Sequence, residues 1–302
     1  MKGNRFRMRL PATSANLGSG FDTAAIALDF FLDIEAEAAQ EFSIEATGCD
    51  TEICSRIENN LILDTYTRVL KTQSANIQPL SIQMRNEIPL GMGCGSSAAG
   101  RLAGIAMAAH FGNLNWSADQ ILEEACALEG HPDNAAACWL GGFVAAAMDG
   151  KSVYVARVDP PSEWRAIIAY PAESLATSTA RAVLPANYSH EDVVTNLQSV
   201  SMLGLAFAQA RGDLLRVAMR DRIHQPYRSK LCPLLPRLLP LVGMEGIIGA
   251  ALSGAGPAVL VVASSEEEGR RACELIRSVT TAEEVRLVMS RFQSCGASVL
   301  KS

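Results

Sequence analysis

Charge, aromatic rings and histidine are all scarce in this 302-residue sequence: 19% is charged, 6% is aromatic, and there are 4 histidines. Basic residues are in deficit, with 26 Lys and Arg against 32 Asp and Glu and a net charge of −6. Nucleic-acid binding through counterion release needs a basic stripe, so nucleic acid is not expected as a partner. A membrane is not expected either. The most apolar stretch, 247–263, is broken by Ser253, Gly254, Gly256 and Pro257 and reads as strand, turn and strand rather than a span. The 8 cysteines include no CxxC pair and no zinc-type cluster with histidine, and are expected as buried, reduced thiols. Lys2, Arg5, Arg7 and Arg9 run into Pro11 before any apolar segment, a pattern unlike a secretory signal; a soluble, cytoplasmic protein is expected.

The familiar nucleotide and catalytic signatures are missing too. The one Gly-Lys-Ser, at 150–152, has Ala145 where GxxxxGK[ST] needs glycine, and Gly91-x-Gly93 is followed by Ser96 where GxGxxG needs glycine. HRD, DFG and GxSxG are all absent.

What remains is an ordinary globular chain, 49% apolar and long enough for two lobes, with a soft boundary near 150–165. Strands are expected at 5–10, 80–85, 152–158 and 165–169, with paired strands over 24–38 and a buried hairpin over 246–263. Helices are expected at 60–72, after 100, at 117–129 between a Ser117 cap and Gly130, and at 265–278 before a strand at 284–289. Residues 135–147 read as helix then strand, and 191–219 as one or two helices interrupted at Gly204 and Gly212. PATSANLGSGFD, residues 11–22, is too rich in Gly, Ser, Asn and Pro to read as helix or strand.

The strongest local signal is PLGMGCGSSAAG, residues 89–100. Three glycines within five residues permit positive φ and close backbone approach, and two serines then open an alanine-rich helix. A helix start with free N–H groups and a positive dipole end is an anion site, and the Ser96 and Ser97 hydroxyls can add a phosphate donor or a Mg²⁺ ligand. A glycine turn that merely caps a helix explains part of this pattern, but a cap needs only one of the five small residues from Gly95 to Ala99. LSGAGPAV, residues 252–259, reads equally as a tight hairpin.

In chain order, PATSANLGSGFD, PLGMGCGSSAAG and LSGAGPAV resemble the three motifs of the GHMP small-molecule kinases. LEGHPDNAA (128–136), TSTARAVLP (177–185) and DRIHQPYR (221–228) resemble the homoserine kinase family within that superfamily. The resemblance runs from residue 11 to about 260; Ser19 stands where the family usually has Pro, and Cys94 where it usually has Leu. It implies an α+β, two-lobed GHMP kinase fold. Residues 1–158 would form a ribosomal protein S5 domain 2-like, ATP-binding lobe, and 159–302 a ferredoxin-like lobe. It also implies phosphorylation of the L-homoserine hydroxyl by ATP with Mg²⁺, in threonine biosynthesis, and suggests a homodimer.

The same resemblance assigns residues. ATP would lie against Asn60, Pro89, Leu90, Gly91, Met92, Gly93, Cys94, Gly95, Ser96, Ser97, Ala98, Ala99, Gly254 and Gly256, with Asn60 at the adenine. Ser97 and Glu129 would hold Mg²⁺. Arg181 and Arg228 would grip the substrate carboxylate, which suits a planar guanidinium. Asp22 would take the ammonium, and Asn16 the reacting hydroxyl. His131 and Thr177 would line the pocket. Asn134 would sit near the reacting centre, with Asp133 structural and no evident general base, so that alignment and charge neutralisation carry the catalysis. Two alternatives stand beside this. One is a GHMP kinase for a mevalonate-, shikimate- or sugar-like hydroxyl, which would not need Asp22 with paired arginines. The other is a non-catalytic ligand sensor, which would not need Ser97 and Glu129.

Overall fold

The computed structural model describes residues 5–281 and 285–299. The first lobe is a seven-stranded sheet covered by helices. Its spine is β1 (Arg5–Asn16) antiparallel to the 19-residue β2 (Gly20–Ala38). Following these are β3 (Ser43–Gly48), a short α1 (Thr51–Cys54), α2 (Leu61–Thr72), β4 (Leu80–Asn86), α3 (Ser96–Phe111), α4 (Ala118–Glu129), α5 (Asp133–Leu140), β5 (Phe143–Asp149) and β6 (Ser152–Val158). The second lobe runs β7 (Arg165–Tyr170), α6 (Thr177–Ala182), α7 (His190–Ala208), α8 (Gly212–Ala218), α9 (Gln225–Arg228), α10 (Leu234–Leu238), β8 (Ile247–Leu252), β9 (Val259–Ala263), α11 (Glu266–Val279) and β10 (Arg286–Arg291). Its sheet order β10-β7-β9-β8, antiparallel throughout, is the split βαβ arrangement of a ferredoxin-like lobe. The chain then returns to the first lobe, where β11 (Ser298–Val299) pairs with β1.

Several expectations change here. PATSANLGSGFD is mostly strand: 11–16 continue β1, 17–19 turn, and 20–22 open β2. Its small residues are what permit this, since Ala12, Thr13, Ser14 and Ala15 are all fully buried. Residues 24–38 form one strand, not two. A register shift after Pro11 divides it, so that Ala24–Ile26 pair with β5 while Leu32–Ala38 pair with β4. Helix α7 runs through Gly204, where even a Cβ would meet the Phe143 ring only at an ordinary contact distance of 3.7 Å, and a new helix starts at Gly212. The expected strand at 284–289 is found as β10; residue 284 lies outside the described residues. Six of the eight cysteines are buried, but Cys49 is half-buried and Cys295 exposed. Arg5, Arg7 and Arg9 pair across the hairpin with Glu37, Glu35 and Asp33 on the exposed face. Among the described residues no helix is long and apolar enough to cross a membrane.

Three packing features position the site. Helix α3 is largely buried and half of its residues are Ala or Gly, so Gly104 can pass close to the Ile62 carbonyl of α2. Helix α4 starts on a Ser117–Gln120 capping box and stops at Gly130, φ 82°, which leaves Glu129 as its last residue. Between the lobes, Phe207 of α7 stacks on Phe143 of β5 (4.7 Å, 20°) and meets Trp164 and Phe292 edge-on. Truncating this ring empties a buried inter-lobe site. Phe207→Ala is expected to lower unfolding free energy by about 3–5 kcal/mol in denaturant titration. A loss below about 1 kcal/mol would contradict the packing argument.

Candidate active site

The site is a cleft of about 400 Å³ between the lobes. Its floor is the glycine loop. Gly91, Gly93 and Gly95 have φ of 68°, 80° and 74°, and a Cβ on Gly93 or Gly95 would lie 2.1 Å from the Ser253 carbonyl oxygen or 1.9 Å from Thr13 Oγ1. The loop is tied down by Leu90 N–H donating to Asp50 (2.8 Å), Ser253 Oγ donating to the Gly93 carbonyl (2.7 Å) and Thr13 N–H donating to the Cys94 carbonyl (3.1 Å). Helix α3 starts from this loop, and by helix geometry the N–H groups of Ser96, Ser97 and Ala98 have no partner within the helix. They front the cleft with the positive end of a 16-residue helix.

At that helix start, Glu129 accepts from Ser97 Oγ and Arg101 Nε, both at 2.6 Å on one carboxylate oxygen. The opposite wall is cationic. Asp22 (φ 53°) receives Arg181 bidentately at 2.6 and 3.0 Å. Arg228 is fully buried and donates to the Ala180 carbonyl (3.0 Å). The Phe21 ring lies beneath both guanidinium groups, at 5.6 Å from Arg181 and 5.3 Å from Arg228. It also stacks on His224 at 5.2 Å. Asn16 (φ 69°) donates to the Gly254 carbonyl (2.7 Å) and accepts from Asp22 N–H (3.0 Å). A positive φ at Asn16 and Asp22 is backbone strain held at the cleft by these bonds.

Two histidines behave oppositely. His224 donates from Nε2 to the Gly18 carbonyl (2.8 Å), and its Nδ1 lies 3.2 Å from an Arg228 nitrogen. Burial first, and then the Arg228 charge, hold it below the usual range despite Asp221, so it is the neutral tautomer that receives Arg228. Burial also disfavours charge on His131. Its 2.6 Å bond to Asp133, with the charges of Asp133, Asp22 and Glu129, outweighs that and raises its pKa. Burial pushes the Cys94 thiol under the loop up to about 12, which leaves it inert.

Of the residues expected at the site, Asn16, Asp22, Gly91, Gly93, Gly95, Ser96, Ser97, Ala98, Glu129, His131, Asn134, Thr177, Arg181, Arg228, Gly254 and Gly256 line this one cleft. Leu90 and Asn60 line an adjoining apolar slot of about 230 Å³ that shares Ser96 and Ser97. The Asn60 amide is fully engaged: it caps α2 and donates to the Cys54 and Arg56 carbonyls. Met92, Cys94 and Ala99 turn into the core, and Pro89 lines neither space. Sequence reasoning missed Arg101, Phe21, Asp50 and Thr13. Arg101 had a signal, since it is the one charged residue in the run 96–109 and lies one turn beyond Ser97. Thr13 Oγ1, by donating to Asn134 (2.7 Å), fixes that side chain.

Two lobes closing on a glycine loop and a helix start define a class, the small-molecule kinases of the GHMP type. The GHMP kinases N terminal domain family matches residues 60–142, and the GHMP kinases C terminal family matches 205–279. The homoserine kinase of Solibacter usitatus is 42% identical over 91% of this chain and 90% of its own length, and that of Deinococcus radiodurans 36% over 84% and 83%. The chain therefore belongs to the homoserine kinase family of the GHMP kinases. The crystal structure of homoserine kinase from Cytophaga hutchinsonii superposes with a TM-score of 0.82 at 25% identity, covering 99% of this chain and 98% of that one. Mevalonate kinase of L. major shares the fold alone, with TM-score 0.70 at 14% identity over 98% of this chain and 97% of that one.

The His131–Asp133 pair carries a pH signature. Because the folded pKa of His131 is raised, its contribution is fully present below the unfolded value near 6.5 and fades as pH rises through the folded pKa. The stability difference between wild type and His131→Gln, from denaturant midpoints, is expected to shrink from about pH 5.5 to pH 8.5. A difference that grows over that range would contradict the assignment.

Proposed function

We propose that this protein transfers the γ-phosphoryl group of ATP to the side-chain hydroxyl of L-homoserine, giving O-phospho-L-homoserine. The observation that carries this reading is the Asp22–Arg181 ion pair, with Arg228 beside it, facing the start of α3 across one cleft. A zwitterionic amino acid matches that pair charge for charge: its carboxylate replaces Asp22 as the partner of Arg181, and its ammonium replaces Arg181 as the partner of Asp22. Mevalonate, with a carboxylate but no ammonium, would draw Arg181 away and leave Asp22 uncompensated, while a sugar has neither charge to exchange for the pair. The names of the relatives of S. usitatus, D. radiodurans and C. hutchinsonii point to the same substrate.

The free N–H groups of Ser96, Ser97 and Ala98 receive phosphate oxygens, and the apolar slot beside them takes the base, with Asn60 shaping its wall. Ser97 Oγ and the Glu129 carboxylate, 2.6 Å apart at this helix start, form an oxygen-donor pair suited to Mg²⁺. That ion, when bound, neutralises phosphate charge. Arg101 holds the same carboxylate oriented. Asn16, anchored on Gly254, orients the hydroxyl, and the bond from this oxygen to the γ-phosphorus forms as the β,γ-bridging bond breaks. Asp133 is already engaged by His131 and the Asn134 N–H, which supports a structural role rather than that of general base. The transfer then rests on alignment and fixed charge, and the hydroxyl proton leaves with the transferred group's oxygens.

We place this activity in threonine biosynthesis in the cytoplasm. A homodimer is the proposed assembly; the exposed Val193, Leu197 and Leu205 along α7 support a self-association surface. With MgATP and a panel of L-homoserine, mevalonate, shikimate and galactose, turnover is expected with L-homoserine alone. In Arg181→Met the KM for L-homoserine is expected to rise about 10²-fold, with the KM for ATP little changed. Equal turnover of mevalonate or galactose would overturn the substrate assignment, and ATP binding without any turnover would favour the sensor reading.

A further inference from the structure

A second cavity, of about 380 Å³, lies on the C-terminal lobe and shares no lining residue with the cleft. The short helix α9 nevertheless serves both, with Gln225 facing this cavity and Arg228 facing the cleft. The volume falls within the range of small-molecule sites. Its walls include Leu215, Met219, Leu235 and Val242. Its polar side chains are Arg216, Arg220, Gln225, Asp221 and Ser229, whose hydroxyl already donates to the Pro226 carbonyl (2.9 Å). Gln225 is 95% buried; its Oε1 accepts from Leu252 N–H (2.8 Å), while its Nε2 has no hydrogen-bond partner among the described residues. That nitrogen is not sealed off, because the single sealed, unpartnered side-chain polar atom among the described residues is Ser14 Oγ. Arg216 and Arg220 stand exposed on the cavity rim, and neither forms an ion pair among the described residues. Asp221, the one acid in the wall, is fully buried and already accepts from the N–H groups of Ile223, His224 and Gln225, so no free acceptor charge faces the space.

A buried amide donor without a partner, two free guanidinium groups on an otherwise acidic protein and an apolar wall describe a ligand with one anionic end and a hydrocarbon body. We propose that this cavity binds a small aliphatic carboxylate, whose oxygens bond Gln225 Nε2 and the guanidinium groups of Arg216 and Arg220 while its chain packs on Leu215, Leu235 and Val242. Occupancy is communicated to the cleft through α9. Gln225 accepts from β8 at Leu252, and one turn on Arg228 donates to the Ala180 carbonyl and meets the neutral His224. A ligand that fixes Gln225 therefore alters how firmly Arg228 is held, and so the grip on substrate. This coupling rests on the proposed homoserine reading; the binding does not.

The test uses 4-methylpentanoate as the probe on the full-length protein. Calorimetry is expected to show one site with Kd of about 1 mM or tighter, weakened at least about 10-fold in R216Q/R220Q and unchanged in Arg181→Met. The probe is also expected to change the KM for L-homoserine at least about 2-fold in wild type but not in R216Q/R220Q. No binding up to about 10 mM, equal binding by the double variant, or binding lost in Arg181→Met would overturn the site. Intact binding with an unchanged KM would overturn the coupling. Calorimetry needs no turnover, so an absence of kinase activity would count against the proposed function and leave the binding arm to decide the site.

Discussion

The structure depends on one close contact, where the glycine loop at 91–95 meets the turn at 253–257. A side chain at Gly93 would overlap the Ser253 carbonyl, so the two turns interlock only because residue 93 is glycine, and the Ser253 hydroxyl then closes on the Gly93 carbonyl. From this contact the N–H groups at the start of α3 face the cleft, and the Gly254 carbonyl is presented to Asn16. Gly254 N–H in turn donates to the Ala15 carbonyl, which ties the second lobe to the strand that carries Asn16. The proposed phosphate and substrate sites are thus held in register by the same few atoms. Rigid positioning of this kind is what a loose phosphoryl-transfer transition state most needs from a protein.

Electrostatics then divide the cleft. One end offers helix dipole, hydroxyls and Glu129; the other offers two arginines over one aromatic face, with Asp22 between them. Arg228 is tolerable in a buried position because its neighbour His224 is neutral, held so by burial and by Arg228 itself. The Phe21 ring serves both arginines and the imidazole, and so organises three polar groups without adding charge. A protein of net charge −6 thereby keeps a cationic end in its cleft, as the proposed carboxylate grip requires.

Much of the architecture was legible where local chemistry decides it. Ser117 and Gly130 bracket α4 as cap rules require, and the periodicity of 60–72 is that of α2. The strand 11–16 was not legible, because burial on both faces comes from α3 and α5, elements far along the chain, and overrides a composition that reads as loop. The cleft was legible through the resemblance of its motifs to the GHMP kinases, since the glycines and serines alone also fit a capped helix and a tight hairpin. Supporting residues were less so. Thr13, Phe21 and Asp50 act through contacts 40 to 207 positions away, with no local pattern to announce them. Asn60 shows the converse: its place beside the apolar slot was readable, while the complete use of its amide in capping was visible only with the fold in hand.

The central claim is that a zwitterion replaces the Asp22–Arg181 pair charge for charge. Calorimetric titration of L-homoserine, 4-hydroxybutanoate and 3-aminopropan-1-ol in the presence of a non-hydrolysable ATP analogue measures this directly. Each truncated ligand breaks the internal pair and compensates only one half of it, so each is expected to bind at least about 10²-fold more weakly than L-homoserine. Binding of either truncated ligand as tight as that of L-homoserine would contradict the account.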